Sequence, residues 1–232
     1  MKISLKGFYD SFFGNNGWVD YLQGLKVTLL ISFVATLMGI AIGLIIAIIK
    51  HKYVEEKKEK SFGWVLSILN TFANVYTTVI RGTPVLLQLI ILYALAFSHS
   101  IQAAMIGFGI NSGAYVSEIF RAGLQSVDKG QTEAGRSLGL SANKTLIKIV
   151  VPQAFKNIVP SLFNEFTSLI KETSVAGSIA VVELTKIAER AKSKTLLLEP
   201  LFIVAFFYLA VVVGLTQVQK GLERRLAKSD RN

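Results

Sequence analysis

The chain has no cysteine in its 232 residues, which excludes a disulfide framework and a thiolate metal site. Its two histidines, His51 and His99, are too few and too scattered to form a metal cluster. No Gly-x4-Gly-Lys-Ser/Thr loop is present to cradle phosphates, and no Ser/His/Asp or two-carboxylate set suggests catalysis. Gly107-Phe108-Gly109 with Gly113 is not a dinucleotide fingerprint; it reads as close helix packing. Charge is missing from long stretches: Val27 to Ile49, Ser61 to Ile80, Gly82 to Ser117 and Pro200 to Gln219 hold no Lys, Arg, Asp or Glu. The N-terminus shows no cleavable leader pattern, because its first apolar run starts late and runs long.

What is present is apolar surface. The sequence is 52% hydrophobic with a mean hydropathy of +0.51, more than a water-soluble domain carries. The uncharged stretches are the length of membrane spans. Val85 to Phe97 is too short to cross alone, so residues 61–97 read as one long, interrupted helical region. With about 101–123, 151–172 and 196–219, the expectation is five spans in an all-α integral membrane protein, one domain over 1–232.

The net charge of +10 could suggest nucleic acid, but the basic residues flank the spans. The loop Lys50 to Lys60 and the tail carrying Lys220, Arg224, Arg225, Lys228 and Arg231 both read as cytoplasmic. Five spans then place the N-terminus outside and the C-terminus inside a bacterial plasma membrane. The mildly basic loop 180–195 falls outside, against the charge rule.

Several spans are polar on one stripe only. Asn70, Asn74, Thr77 and Arg81 follow helical spacing, as do Asn111, Tyr115 and Glu118, and Asn157, Ser161, Asn164, Ser168 and Glu172 with Glu165 at the edge. Ionisable groups at membrane depth are costly and face a bundle interior or a wet cavity. These stripes either line a path or tie helices together, and Glu118 could simply pair with Arg121 or Arg81. Arg81-Gly82-Thr83-Pro84 interrupts the second region: Pro84 removes a donor and Gly82 loosens the helix, which suits a hinge or a packed kink.

Between the third and fourth spans, at about 124–148, lies a basic, helix-forming segment. Gly139 reads as a helix stop and Ser141 as an N-cap. Its Glu133-Ala134-Gly135-Arg136-Ser137-Leu138-Gly139, with Ile149-Val150-Val151-Pro152 nine residues on, resembles the EAA signature of ABC importer membrane subunits. The departures are Gly135 for the second Ala and Val151 for Leu. The resemblance extends over about 21–226, through Gly24, Thr28-Leu29, Arg81-Gly82-Thr83-Pro84, Gly113 to Gly123, Lys129 to Ala134, Pro152-Gln153-Ala154, Asn164-Glu165-Phe166, Lys171 to Ser174 and Leu222 to Leu226. It is similar to the polar amino-acid branch of these permeases.

The resemblance implies a type I importer fold and a second permease subunit, often an identical one. It also implies two ATP-binding subunits and an extracytoplasmic solute-binding protein, with an amino acid as cargo. ATP and Mg would be bound by the partner subunits, leaving this chain without a cofactor or enzymatic activity. The segment Lys129, Gly130, Glu133, Ala134, Gly135, Ser137, Gly139 and Leu140 would dock on the ATPase. A substrate path lined by Asn111, Tyr115, Glu118, Asn164, Glu165 and Ser168 is expected, with arginine, lysine or histidine favoured by its two carboxylates. Glutamine or another polar amino acid is the alternative. An integral-membrane enzyme using Glu118 and Glu165 and a membrane-anchored interaction module are the remaining readings.

Overall fold

The computed structural model describes residues 3–58 and 63–228. Lys60, Arg231 and the Ser61 start of the second apolar stretch lie outside the described residues. The described residues form helices and no strand. In order these are α1 (Leu5–Phe13), α2 (Gly17–Lys58), α3 (Trp64–Gly82), α4 (Val85–Ala96), α5 (Ser100–Gln125), α6 (Lys129–Ser137), α7 (Ala142–Thr145), α8 (Val151–Glu172), α9 (Leu184–Thr195) and α10 (Glu199–Lys228). Short 3-10 segments at Gly14–Asn16 and Thr173–Ile179 and a π stretch at Leu146–Val150 join them.

Three helical stretches are long and apolar enough to cross a bilayer: Gly17–Lys57, Ala142–Ile179 and Glu199–Leu226. The broken pair α3 and α4 passes the same test together, giving up to four. The helix α5, at 26 residues, is long enough, but its Asn111, Ser112, Glu118 and Arg121 lower its hydropathy. Hydropathy thus accounts for four of the five spans expected.

Two expectations need correction. The stretch Lys50 to Lys58 is not a loop: α2 runs unbroken for 42 residues. At 1.5 Å per residue it is about 63 Å long, twice the hydrocarbon thickness. Nor is 180–195 a loop, since most of it is α9.

The chain divides into two compact units. The first comprises Met1–Met38, Thr83–Ile110 and Phe166–Thr216. Its core joins Ile31 and Ala35 of α2 to Leu89 of α4, Ala103 and Phe108 of α5 and Leu169 of α8. A smaller cluster sets Tyr21 against Leu184, Ala188 and Val204. Gly24 and Thr28 admit the start of α9. A Cβ on Gly24 would meet the Leu184 Cα at 2.9 Å, and Thr28 Oγ1 accepts the Leu184 N–H at 3.3 Å. Glu183 caps α9, accepting the N–H groups of Thr185 and Lys186, each at 2.7 Å. Burial pushes its carboxyl above the usual range, opposed by those donors and the Tyr208 hydroxyl.

The second unit comprises Gly39–Gly82, Asn111–Glu165 and Gln217–Asn232. Here α2 and α5 pack through small residues. A Cβ on Gly39 would meet Ser112 Oγ at 2.6 Å, and one on Gly43 would meet Val116 Cγ1 at 2.6 Å and the Ser117 N at 2.8 Å. Gly113 lies as closely against Ile42. This is the small-xxx-small contact by which membrane helices approach, since lipid gives no hydrophobic drive to pair them. The sequence reading noted Gly113 but overlooked Gly39 and Gly43.

Candidate functional site

Helix spacing turns three polar stripes toward one place in the second unit. From α3 come Asn74, Thr77 and Arg81, from α5 come Tyr115 and Glu118, and from α8 come Asn157, Ser161 and Glu165. A cavity of about 480 Å³ is lined by Arg81, Tyr115, Glu118, Asn157, Ser161 and Glu165, among others. A neighbouring one of about 500 Å³ adds Lys50, Asn74 and Thr78.

Glu118 is committed to cations. Its Oε2 accepts from Arg121 Nε at 2.8 Å, Lys50 Nζ lies 3.7 Å from Oε1, and Arg81 Nη1 lies 3.9 Å from Oε2. Lys50 also donates to Thr77 Oγ1 at 2.9 Å. The Arg81 guanidinium sits 5.4 Å from the Tyr115 ring centroid, within cation–π range. One carboxylate therefore faces three cations, which offset its charge. Glu165 is placed differently: Ser112 Oγ donates to its Oε1 at 2.7 Å, holding it toward α5. Asn157 donates to Ser126 Oγ at 2.7 Å across the α5–α8 contact.

Of the expected substrate-path residues, Tyr115, Glu118 and Glu165 line this cavity. Asn111 is buried on α5 and Asn164 is exposed on α8; neither lines it, and Ser168 lies further along α8 in the first unit. Arg81, expected as a hinge residue, is part of the lining together with Asn157 and Ser161. Lys50 was hidden in the basic run after the first span, and only the continuation of α2 brings it to Glu118.

The helix breaks at Arg81-Gly82-Thr83-Pro84 as the sequence predicts. Helix α3 ends at Gly82 and α4 begins after Pro84, which is extended at ψ 133°. Gln88 Nε2 reaches back to Thr83 Oγ1 at 2.8 Å.

The EAA segment is built locally. Asp128 caps α6, accepting the Gly130 N–H at 2.7 Å. The helix ends in a Schellman turn: Gly139 has φ +81°, its N–H bonds Arg136 O at 3.0 Å, and the Leu140 N–H bonds Gly135 O at 3.2 Å. Ser141 then caps α7. Gly135 is buried where a Cβ would meet Thr145 Cγ2 and Ile149 Cδ1 at 2.8 Å each, so its lack of a side chain lets α6 lie close to the π stretch. Lys129, Gly130, Glu133, Ala134, Ser137 and Gly139 are exposed, and Leu140 is half-buried.

A spanning helical chain whose polar segment folds into two capped helices, with a polar cavity beside it, has the parts of a transport permease. The comparisons agree. Residues 62–228 match the family described as the binding-protein-dependent transport system inner membrane component, and the chain belongs to that family. It is 37% identical over 216 residues to the arginine transport system permease protein ArtQ of Bacillus subtilis, covering 90% of this chain and 93% of the relative. A permease of Rickettsia felis named for glutamine transport is 36% identical over 212 residues, covering 88% of this chain and 92% of the relative. A crystal structure of an amino acid ABC transporter with histidines superposes with a TM-score of 0.83 at 32% identity, covering 97% of this chain and all of that one. The chain is thus an amino-acid ABC transporter permease of the inner membrane and not itself an enzyme.

Proposed function

We propose that the chain forms the translocation path for a basic amino acid in an ATP-driven importer. The observation that carries this reading is that Arg81 and Glu165 line one cavity of about 480 Å³. An amino acid is a zwitterion, so a path that carries it needs an anion acceptor and a cation acceptor. Arg81 meets the α-carboxylate over the Tyr115 ring, and Glu165 receives the ammonium or a cationic side chain. Asn157 and Ser161 supply neutral hydrogen bonds along the wall. The relative named for arginine supports this choice.

In this reading the permease works as a dimer of identical chains with two ATP-binding subunits and a solute-binding protein. ATP and Mg belong to those ATP-binding subunits, and this chain carries no cofactor. The exposed face of α6 and its Schellman turn, with Glu133 and Gly139 at the family's motif positions, form the coupling surface. Five spans, counting α5, place the N-terminus outside and the basic C-terminus in the cytoplasm.

The second reading is a neutral polar amino acid such as glutamine. It is favoured by the neutralisation of Glu118, which leaves only one of the two expected carboxylates for a cation. Glu165→Gln separates the two. A charge-assisted contact contributes about 1.5–3 kcal/mol, so arginine-stimulated ATPase should need ten- to a hundredfold more arginine. Unchanged arginine affinity, with glutamine carried as well as before, would overturn the basic reading.

A further inference from the structure

The N-terminal helix α1 precedes the first span and has no part in the transport site. It is held at both ends. Ser4 accepts the Gly7 N–H at 3.0 Å, and the Ser4 N–H donates to Glu199 Oε1 at 3.0 Å, at the start of α10. At its other end only Gly14–Asn16 separates it from α2. Phe8 packs on Phe202 with centroids 6.4 Å apart, and Phe12 stacks on Tyr21 at 6.0 Å.

A second row of α1 is apolar and uncovered. Leu5, Tyr9 and Phe13, spaced by four, are 89%, 65% and 55% exposed. With 100° per residue, these three and the packed Phe8 and Phe12 make one apolar arc of about 140°. Lys6 and Asp10 follow it as a charged stripe. Asp10 also lines a cavity of about 700 Å³ with Asp20, Gln23, Arg190 and Lys194, so this edge of the helix faces charged neighbours.

We infer that α1 lies in the membrane–water boundary, parallel to the surface, with Leu5, Tyr9 and Phe13 in the lipid. Three observations select lipid as the occupant. The helix is tied to the ends of two apolar spanning helices, α2 and α10, so it cannot leave the boundary. Near the starts of those helices Trp18 and Phe202, the latter packed on Phe8, are themselves 40% and 50% exposed. The row is aromatic-rich with one charged edge, as interfacial helices are.

The absence of native cysteine permits the test. Single cysteines at Leu5, Tyr9, Phe13, Lys6 and Asp10 are labelled with an environment-sensitive fluorophore, and the permease is assembled with its ATP-binding subunits in lipid nanodiscs. An interfacial helix sits about 5–10 Å into the headgroup boundary, so lipids with a shallow nitroxide should quench the first three sites several-fold more than lipids with a deep one. Aqueous iodide should quench the Lys6 and Asp10 sites and spare the others. Iodide access at all five sites would overturn the inference. So would protection of the Tyr9 site that appears only on adding a solute-binding protein, or crosslinking of that site between two copies.

Discussion

Glu118 and Arg121, one turn apart on α5, form a tight fork: Arg121 Nε and Nη2 both aim at Oε2, at 2.8 and 2.7 Å. Their partnership, with Lys50 and Arg81 joining from α2 and α3, binds three helices of one unit. Glu165 lines the cavity wall from α8, where Ser112 Oγ donates to its Oε1 at 2.7 Å.

Removing the Glu118 charge should therefore cost stability rather than affinity. Glu118→Gln leaves Lys50, Arg81 and Arg121 facing one another. Breaking a buried pair costs about 3–5 kcal/mol, but Glu118 keeps 22% exposure and Arg121 48%. Solvent screening lowers the expectation to about 1–3 kcal/mol. A lower thermal midpoint with unchanged substrate affinity is the expected outcome; the reverse pattern would make Glu118 a substrate ligand.

Gly139→Val should uncouple transport. A β-branched residue at φ +81° is strained by about 1–3 kcal/mol, enough to open the Schellman turn. Gly139→Asn, which tolerates that conformation better, should be milder. Uptake and co-purification of the ATP-binding subunits measure both variants, and normal values for Gly139→Val would remove Gly139 from the coupling role.

Pro84→Ala restores a backbone donor at the break between α3 and α4, so the break should become less sharply defined. The expected result is an altered transport rate and a shifted inward/outward balance, read by accessibility labelling. If neither moves, the break serves packing alone.

Gly43→Ala should destabilise by about 1–3 kcal/mol through overpacking. Its new Cβ would meet the Ser117 backbone nitrogen at 2.8 Å, and backbone cannot swing aside as a side-chain tip can. Gly214→Ala on α10, with nothing within 4 Å of its Cβ, is the control and should be neutral or slightly stabilising. Equal thermal midpoints for the two variants would contradict tight α2–α5 packing.

What the sequence revealed was local. Gly139 as a stop and Ser141 as the next cap are each decided by a few neighbouring residues, and both stand as read. Helical spacing also fixes which side chains share a face, and Tyr115, Glu118 and Glu165 meet on one cavity wall, although Asn111, Asn164 and Ser168 of the same stripes do not line it. What stayed hidden depends on register between distant helices. Lys50 read as one lysine of a basic run, since nothing in its neighbourhood announces Glu118, 68 positions away. Gly39 and Gly43 looked like ordinary glycines until Ser112 and Val116 stood opposite them. The helix α9 went unseen because it is polar and begins at a buried glutamate, whose capping role appears only once burial is known.

The Schellman turn after α6 has one more consequence. A helix end with loose carbonyls yields when pushed, and part of the applied displacement is lost as fraying. Here the Arg136 and Gly135 carbonyls are both tied down within three residues of the end, and Gly135 is clamped against Thr145 and Ile149. The element has little compliance. A small shift of a subunit seated on α6 would reach the base of α8 almost undiminished, as through a short rigid lever.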